Sequence, residues 1–197
     1  MVNHEQLFTG YYNTNNWGSS ESFSGHGSTT AATAAIREVL PWIIEYYGIE
    51  SILDIPCGDF NWMQTVALGT RYTGADIVHE LVAVNQKKYG REDCSFVHLD
   101  LLTDDLPKSD LIFCRDCLVH FSFADVQAAL ANVRRSGSKY LLATTFTDAV
   151  NHDIPTGQWT GYNLQATPFD LGEPVAIFSE RYPPAPTKSL GLWKLEN

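Results

Sequence analysis

A chain of 197 residues with 44% hydrophobic and 18% charged residues has the composition of one soluble domain with a sizeable core, which excludes disorder and collagen-like repeats. The formal net charge of −10, with no block of Lys or Arg, repels a phosphate backbone, so no nucleic-acid partner is expected. No run reaches the roughly 18 apolar residues of a membrane helix. The opening MVNHEQLFTG lacks the basic-then-apolar order of a signal peptide, so no membrane partner and a cytoplasmic location are expected.

Residues 1–27 are rich in Asn, Ser and Gly, yet Phe8, Tyr11, Tyr12, Trp17 and Phe23 are too many aromatics for a solvated tail. They are read as an arm or lid on a core spanning 28–197, within a single domain. From Ser28 a helix is expected, because Ile36, Val39, Leu40, Ile43, Ile44 and Tyr47 recur at three and four; Gly48 stops it, and Pro41 kinks or divides it.

Beyond Gly48 the periods alternate. Strand 51–56 precedes a helix over 61–68, strand 71–77 a helix over 79–90, and strand 94–99 leads to strand 110–114. Ser122 and Asp125 form a capping pair before a helix over 126–137, and 139–146 is the fifth strand. Strands alternating with helices give a parallel sheet covered on both faces, whose ligands sit at the carboxyl ends of the strands. The apolar runs 174–180 and 189–195 are joined too briefly for a parallel return, so the sheet closes in an antiparallel hairpin and has seven strands.

Of the four cysteines, Cys114 and Cys117 make a C-x-x-C. No second pair follows at zinc spacing, and Cys114 ends the apolar run DLIFC, so buried, reduced, structural thiols are expected.

The chemistry-bearing residues gather at strand ends. The first strand runs into SILDIPCGDF, where Asp54 near the end of a buried strand demands a hydrogen-bonding partner. Asp76, Asp100 and then Arg115 with Asp116 end the next three strands. This order resembles a class I S-adenosylmethionine-dependent methyltransferase over roughly residues 28–147, and the terminal hairpin agrees. The resemblance implies a Rossmann-like fold and S-adenosylmethionine as cofactor. It implies that Asp54, Pro56, Cys57, Gly58 and Asp59 surround the amino-acid part of the cofactor. Asp76 with Ile77 would hold the ribose hydroxyls, Asp100 with Leu101 would lie beside the adenine, and Arg115 and Trp17 would complete the cofactor site. The family turn has glycines at three alternate positions, whereas this chain has Pro56, Gly58 and Phe60. A single glycine also argues against a dinucleotide, which needs G-x-G-x-x-G to bring a pyrophosphate to the helix.

Methyl transfer to a hydroxyl requires alignment and one base. His120 is the candidate, with Asp116 to orient it; His152 and Asp153 are alternates. Asp116, Asp148 and Asp153 are oxygen ligands suited to Mg²⁺, but their spacing is not diagnostic and no metal is assigned. The long segment 151–174 supplies Trp159, Tyr162, Asn163 and His152 to an acceptor pocket without a basic cluster. Such a pocket suits O-methylation of a small hydroxylated, sugar-like acceptor. A protein or peptide N-methyltransferase and a non-catalytic cofactor-binding module are the alternatives, and the sequence leaves the oligomeric state open.

Overall fold

The structure is a computed structural model and describes residues 3–195. The chain forms two compact units that divide between Asp100 and Leu101. Its seven strands form one sheet in the order β3-β2-β1-β4-β5-β7-β6.

The first unit opens with α1 (His4–Asn13), whose cap Asn3 accepts a hydrogen bond from the Gln6 amide at 2.9 Å. Helix α2 (Ala34–Tyr47) buries Ile36, Leu40, Ile43 and Ile44 along one stripe and ends at Gly48, whose φ of +60° suits a residue without a side chain. The parallel strands β1 (Ser51–Asp54), β2 (Arg71–Asp76) and β3 (Cys94–His98) follow, with α3 (His79–Tyr89) between the last two. Ile52, Leu53, Ile55 and Ala75 are almost completely buried, as strands of a covered sheet require.

The second unit contains β4 (Leu111–Cys114), α4 (Phe123–Arg135), β5 (Tyr140–Phe146), β6 (Ala176–Ser179) and β7 (Lys188–Lys194). Strands β4 and β5 are parallel, while β7 runs antiparallel to both β5 and β6. The mostly parallel seven-stranded sheet and its terminal hairpin are those expected from the sequence. The Ser122 hydroxyl caps α4 by accepting from the Asp125 amide at 3.3 Å. All four cysteines are free thiols, with Cys94, Cys114 and Cys117 buried. Among the described residues no helix is long and apolar enough to cross a membrane.

Three local expectations are corrected, on the start of α2, on Pro41 and on the helix over 61–68; within the arm, α1 occupies 4–13. The helix expected from Ser28 starts at Ala34: the hydroxyls of Thr29 and Thr33 bond to the carbonyls of His26 and Thr29, which favours turns over helix. Pro41 lies inside that helix without dividing it. The helix expected over 61–68 is one 3-10 turn, Met63–Thr65. Asn61, which would begin it, instead bonds to Glu21 and to the Ser28 carbonyl.

Candidate active site

In the first unit, the site grows from the end of β1. Buried Asp54 accepts a hydrogen bond from the Tyr72 hydroxyl on β2, so the protein itself supplies a partner for this carboxylate. Burial, and the adjoining Asp54 charge, push the Tyr72 hydroxyl well above its usual range and keep it a donor. Pro56 and Cys57 lie half-buried in the turn, where the Cys57 amide donates to the Ala75 carbonyl at 2.8 Å. Burial, then Asp76 and Asp54, raise the Cys57 thiol and keep it protonated.

Gly58 has φ +54°, and a Cβ there would sit 2.2 Å from the Ser24 hydroxyl, so only glycine fits. Its amide donates to Asp76 Oδ2 at 3.1 Å and its carbonyl accepts from Asn85 of α3 at 2.7 Å. Asp59 faces the amino-terminal arm. One oxygen accepts from the Ser22 hydroxyl at 2.9 Å, the other from the Phe23 amide at 2.8 Å, and the Asp59 amide donates to Ser24 Oγ at 3.0 Å.

Asp76 closes β2 with both oxygens engaged, since Oδ1 accepts from the Val78 amide at 3.0 Å while Oδ2 holds Gly58. Burial raises its pKa to about 6, although the amides of Val78, Gly58 and Ile77 and the nearby His98 pull the other way. The Ile77 carbonyl meets His98 Nε2 at 2.9 Å, and Glu5 of α1 lies 3.5 Å from the same nitrogen. Both neighbours are acceptors, so Nε2 carries the proton. Asp100 is half-buried beyond β3. Trp17 is half-buried, edge-on to Tyr11 at 5.6 Å and packed against Gly25.

In the second unit, Leu101 is buried and its carbonyl accepts from Asn132 at 2.8 Å. Arg115 and Asp116 follow β4, and Asp116 takes a left-handed φ of +52°. The Arg115 guanidinium grips Glu180 and lies 3.1 Å from Asp116, while Lys188 Nζ lies 2.6 Å from Asp116 and 3.3 Å from Glu180. Thr144 Oγ1 at the end of β5 accepts from the Asp116 amide at 2.8 Å. Burial alone would raise the Asp116 carboxyl, but Arg115 and Lys188 outweigh it and hold it below the usual range.

His120 sits in a 3-10 turn, Leu118–His120, stitched to the long loop. The Gly157 amide donates to the His120 carbonyl at 2.8 Å, and the Thr160 amide to the Val119 carbonyl at 2.9 Å. Its Nδ1 lies 3.0 Å from the Gln158 carbonyl, which only accepts, so Nδ1 is protonated and the basic lone pair of the neutral ring is on Nε2. Burial lowers its pKa against smaller opposing effects of Gln158 and Asp116. His152 is exposed and its Nε2 lies 3.1 Å from the Thr160 hydroxyl. Trp159 is 58% exposed, edge-on to Phe146. Tyr162 is a core residue at 1% exposure, its hydroxyl donating to the Phe121 carbonyl. Asn163 and Asn151 tie the loop to itself, and Asp153 accepts from the Phe123 amide at the start of α4.

Residues 52–138, the stretch that carries these strand ends from β1 to α4, match a family model described as a methyltransferase domain. That stretch is similar to the methyltransferase family. No curated protein matches the sequence. Solved structures share the fold and extend the likeness over the whole chain. Magnesium protoporphyrin IX methyltransferase from Synechocystis PCC 6803 with bound SAM is 14% identical with a TM-score of 0.65, covering 100% of this chain and 99% of that one. The Burkholderia thailandensis 1,6-didemethyltoxoflavin-N1-methyltransferase, with its substrate and S-adenosylhomocysteine bound, is 15% identical with a TM-score of 0.68, covering 100% and 92%. Human N-acetylserotonin methyltransferase in complex with SAM is 14% identical with a TM-score of 0.64, covering 100% and 61%. At these identities the likeness is one of fold.

Several residues of the strand-end site and the hairpin escaped the sequence reading. Asn85 carried a signal, since it shares the buried stripe of α3 with Leu81 and Val82. Ser22 and Ser24 lay in a polar stretch with nothing to single them out. Glu180 ends one hairpin run and Lys188 opens the other, and a Lys directly ahead of the apolar run SLGLWKL was the available sign.

Proposed function

We propose that this chain is an S-adenosylmethionine-dependent methyltransferase that O-methylates a small hydroxylated, sugar-like acceptor. The observation that carries the cofactor assignment is the joining of the Gly58 turn to Asp76, an acid at the end of β2. The residues fit the cofactor chemically. The Asp76 carboxylate keeps acceptor capacity beyond the amides that hold it, and hydroxyl donors would offset the burial that raises its pKa. Asp54, Pro56, Cys57, Gly58 and Asp59 form the turn for the amino-acid portion, Asp76 and Ile77 hold the ribose, and Asp100, Leu101, Arg115 and Trp17 complete the site. The bound cofactor supplies an electrophilic methyl group on a sulfonium.

His120 takes the proton of the acceptor hydroxyl at Nε2. The Gln158 carbonyl fixes its tautomer and burial keeps the ring neutral at lower pH than an ordinary histidine. Asp116 assists it, and Trp159, Asn163 and His152 shape the acceptor side, while Tyr162 anchors their loop from within the core. The protein acts as one domain, with residues 1–27 as a lid and 28–197 as the core, in the cytoplasm.

Methyl transfer from radiolabelled S-adenosylmethionine to methyl glycosides, phenols and peptides tests this reading, with S-adenosylhomocysteine binding measured beside it. Transfer to hydroxyl probes is expected. Transfer to peptide amines alone would make the chain an N-methyltransferase, and binding without any transfer would make it a non-catalytic module.

A further inference from the structure

Four charged side chains meet beyond β4 and at the ends of the hairpin strands: Arg115, Asp116, Glu180 and Lys188. Arg115, Glu180 and Lys188 have side chains 4%, 1% and 5% exposed, whereas that of Asp116 is 25% exposed, so Asp116 is the face the cluster turns outward. Desolvating four charges is costly, and a buried ion network is weak evidence of stabilisation. The backbone adds a further cost, since Asp116 holds a left-handed φ that non-glycine residues keep where surroundings enforce it, often at functional sites.

Each carboxylate of the cluster has one oxygen that the two cations do not engage. Both cations converge on Asp116 Oδ2 and Glu180 Oε2, at 3.1 and 2.6 Å on the former and 2.5 and 3.3 Å on the latter. Lys188 also lies 5.3 Å from the centre of the Tyr182 ring. Asp116 Oδ1, by contrast, has a long 3.4 Å contact from the Thr144 hydroxyl, and Glu180 Oε1 is buried with no hydrogen-bond partner. A buried carboxylate oxygen left unpaired calls for an explanation. The group that answers it must be a donor, and the outward charge is negative, so an anion is disfavoured.

We propose that this cluster recognises the acceptor: Asp116 Oδ1 and Glu180 Oε1 accept hydrogen bonds from an uncharged acceptor bearing at least one donor group besides the hydroxyl that is methylated, and Lys188 is the positioning residue that holds Asp116. This rests on the O-methylation reading and narrows its substrate class. The hairpin thus supplies specificity through Glu180 and Lys188.

The test compares matched probes in the intact protein: cyclohexane-1,2-diol with cyclohexanol, catechol with phenol, and each with a carboxylate-bearing counterpart. The parent should favour the two-donor member by about tenfold or more in kcat/KM, the loss expected for one charge-assisted hydrogen bond, and should use the carboxylates worst. Lys188→Met should raise KM for the two-donor probes by about tenfold, abolish the preference between matched probes, and leave S-adenosylhomocysteine affinity unaltered. Lys188→Arg should restore the preference in part, and Glu180→Gln should weaken it while keeping the shape of the cluster should Lys188→Met fail to fold. Equal use of one-donor and two-donor probes, faster use of the carboxylates, transfer to no two-donor probe, or an undiminished preference in both Lys188→Met and Glu180→Gln would overturn the proposal. Equal use would leave O-methylation standing, whereas transfer to peptide amines alone would remove that reading itself.

Discussion

Asp76 joins two jobs that a sequence reading offers as rivals. Its carboxylate caps the start of α3 through Val78 and also receives the Gly58 amide, so helix capping and turn geometry share one side chain. Its folded pKa of about 6 stands above the ordinary 3.8, so the folded state holds a proton that the unfolded chain has released between those values. The stability this contributes is present below about pH 4 and is lost as pH rises through about 6, on the order of 3 kcal/mol over that window. Denaturant unfolding of the parent against Asp76→Asn should show the difference between them shrinking across the interval; a difference flat with pH would remove the raised pKa. Because donors favour the ionised carboxylate, S-adenosylhomocysteine binding near pH 5.5 should release protons, measurable by calorimetry in buffers of different ionisation enthalpy. At His120, Ala should lower turnover by about 10² to 10⁴ with cofactor affinity retained, and the parent rate should rise with pH through an ionisation below the usual histidine value. Survival of that limb in His120→Ala would transfer the base to another group.

Among the elements, the arm and the β1 turn form one hydrogen-bonded piece. Asp59 gathers Ser22, Phe23 and Asn61, Ser24 returns a bond to the Asp59 amide, and Gly58 leaves room for Ser24. Asp59→Ala should therefore release residues 22–24, with exchange of the Phe23 amide accelerated by about 10- to 100-fold for the loss of a charge-assisted bond, while β1 to β3 stay protected. Gly58→Ala should act on the same segment through its 2.2 Å clash and its φ of +54°. Unchanged exchange at Phe23 in both variants would mean that this segment is ordered by aromatic contacts within the arm, such as Trp17 on Tyr11 and Tyr12 on Phe23. Slower exchange over 19–28 on adding S-adenosylhomocysteine is the signature expected of a lid.

For the molecule as a whole, a ligand at a hundredfold excess over its Kd adds about 2.7 kcal/mol of stability. For a chain of this size that corresponds to a rise in Tm of roughly 5–10 °C, which a thermal scan with S-adenosylhomocysteine checks. One domain should give a single transition that moves as a unit. Two transitions, of which one moves, would separate residues 1–100 from the remainder.

The alternation of strand and helix, the closing hairpin and the acids at strand ends were legible in the sequence, because burial on a strand or helix face imposes a short period on neighbouring residues. So was the single glycine of the first turn. Pairing among polar groups has no such period. That Asp54 meets Tyr72, that Asp59 holds residues 22–24, and that Asp116 meets Lys188 from 72 positions away were decided only by the tertiary structure. The register that sets Phe146 of β5 opposite Lys188 of β7 places that lysine at a strand end already occupied by acids, and a buried charge persists only where the fold brings it a partner.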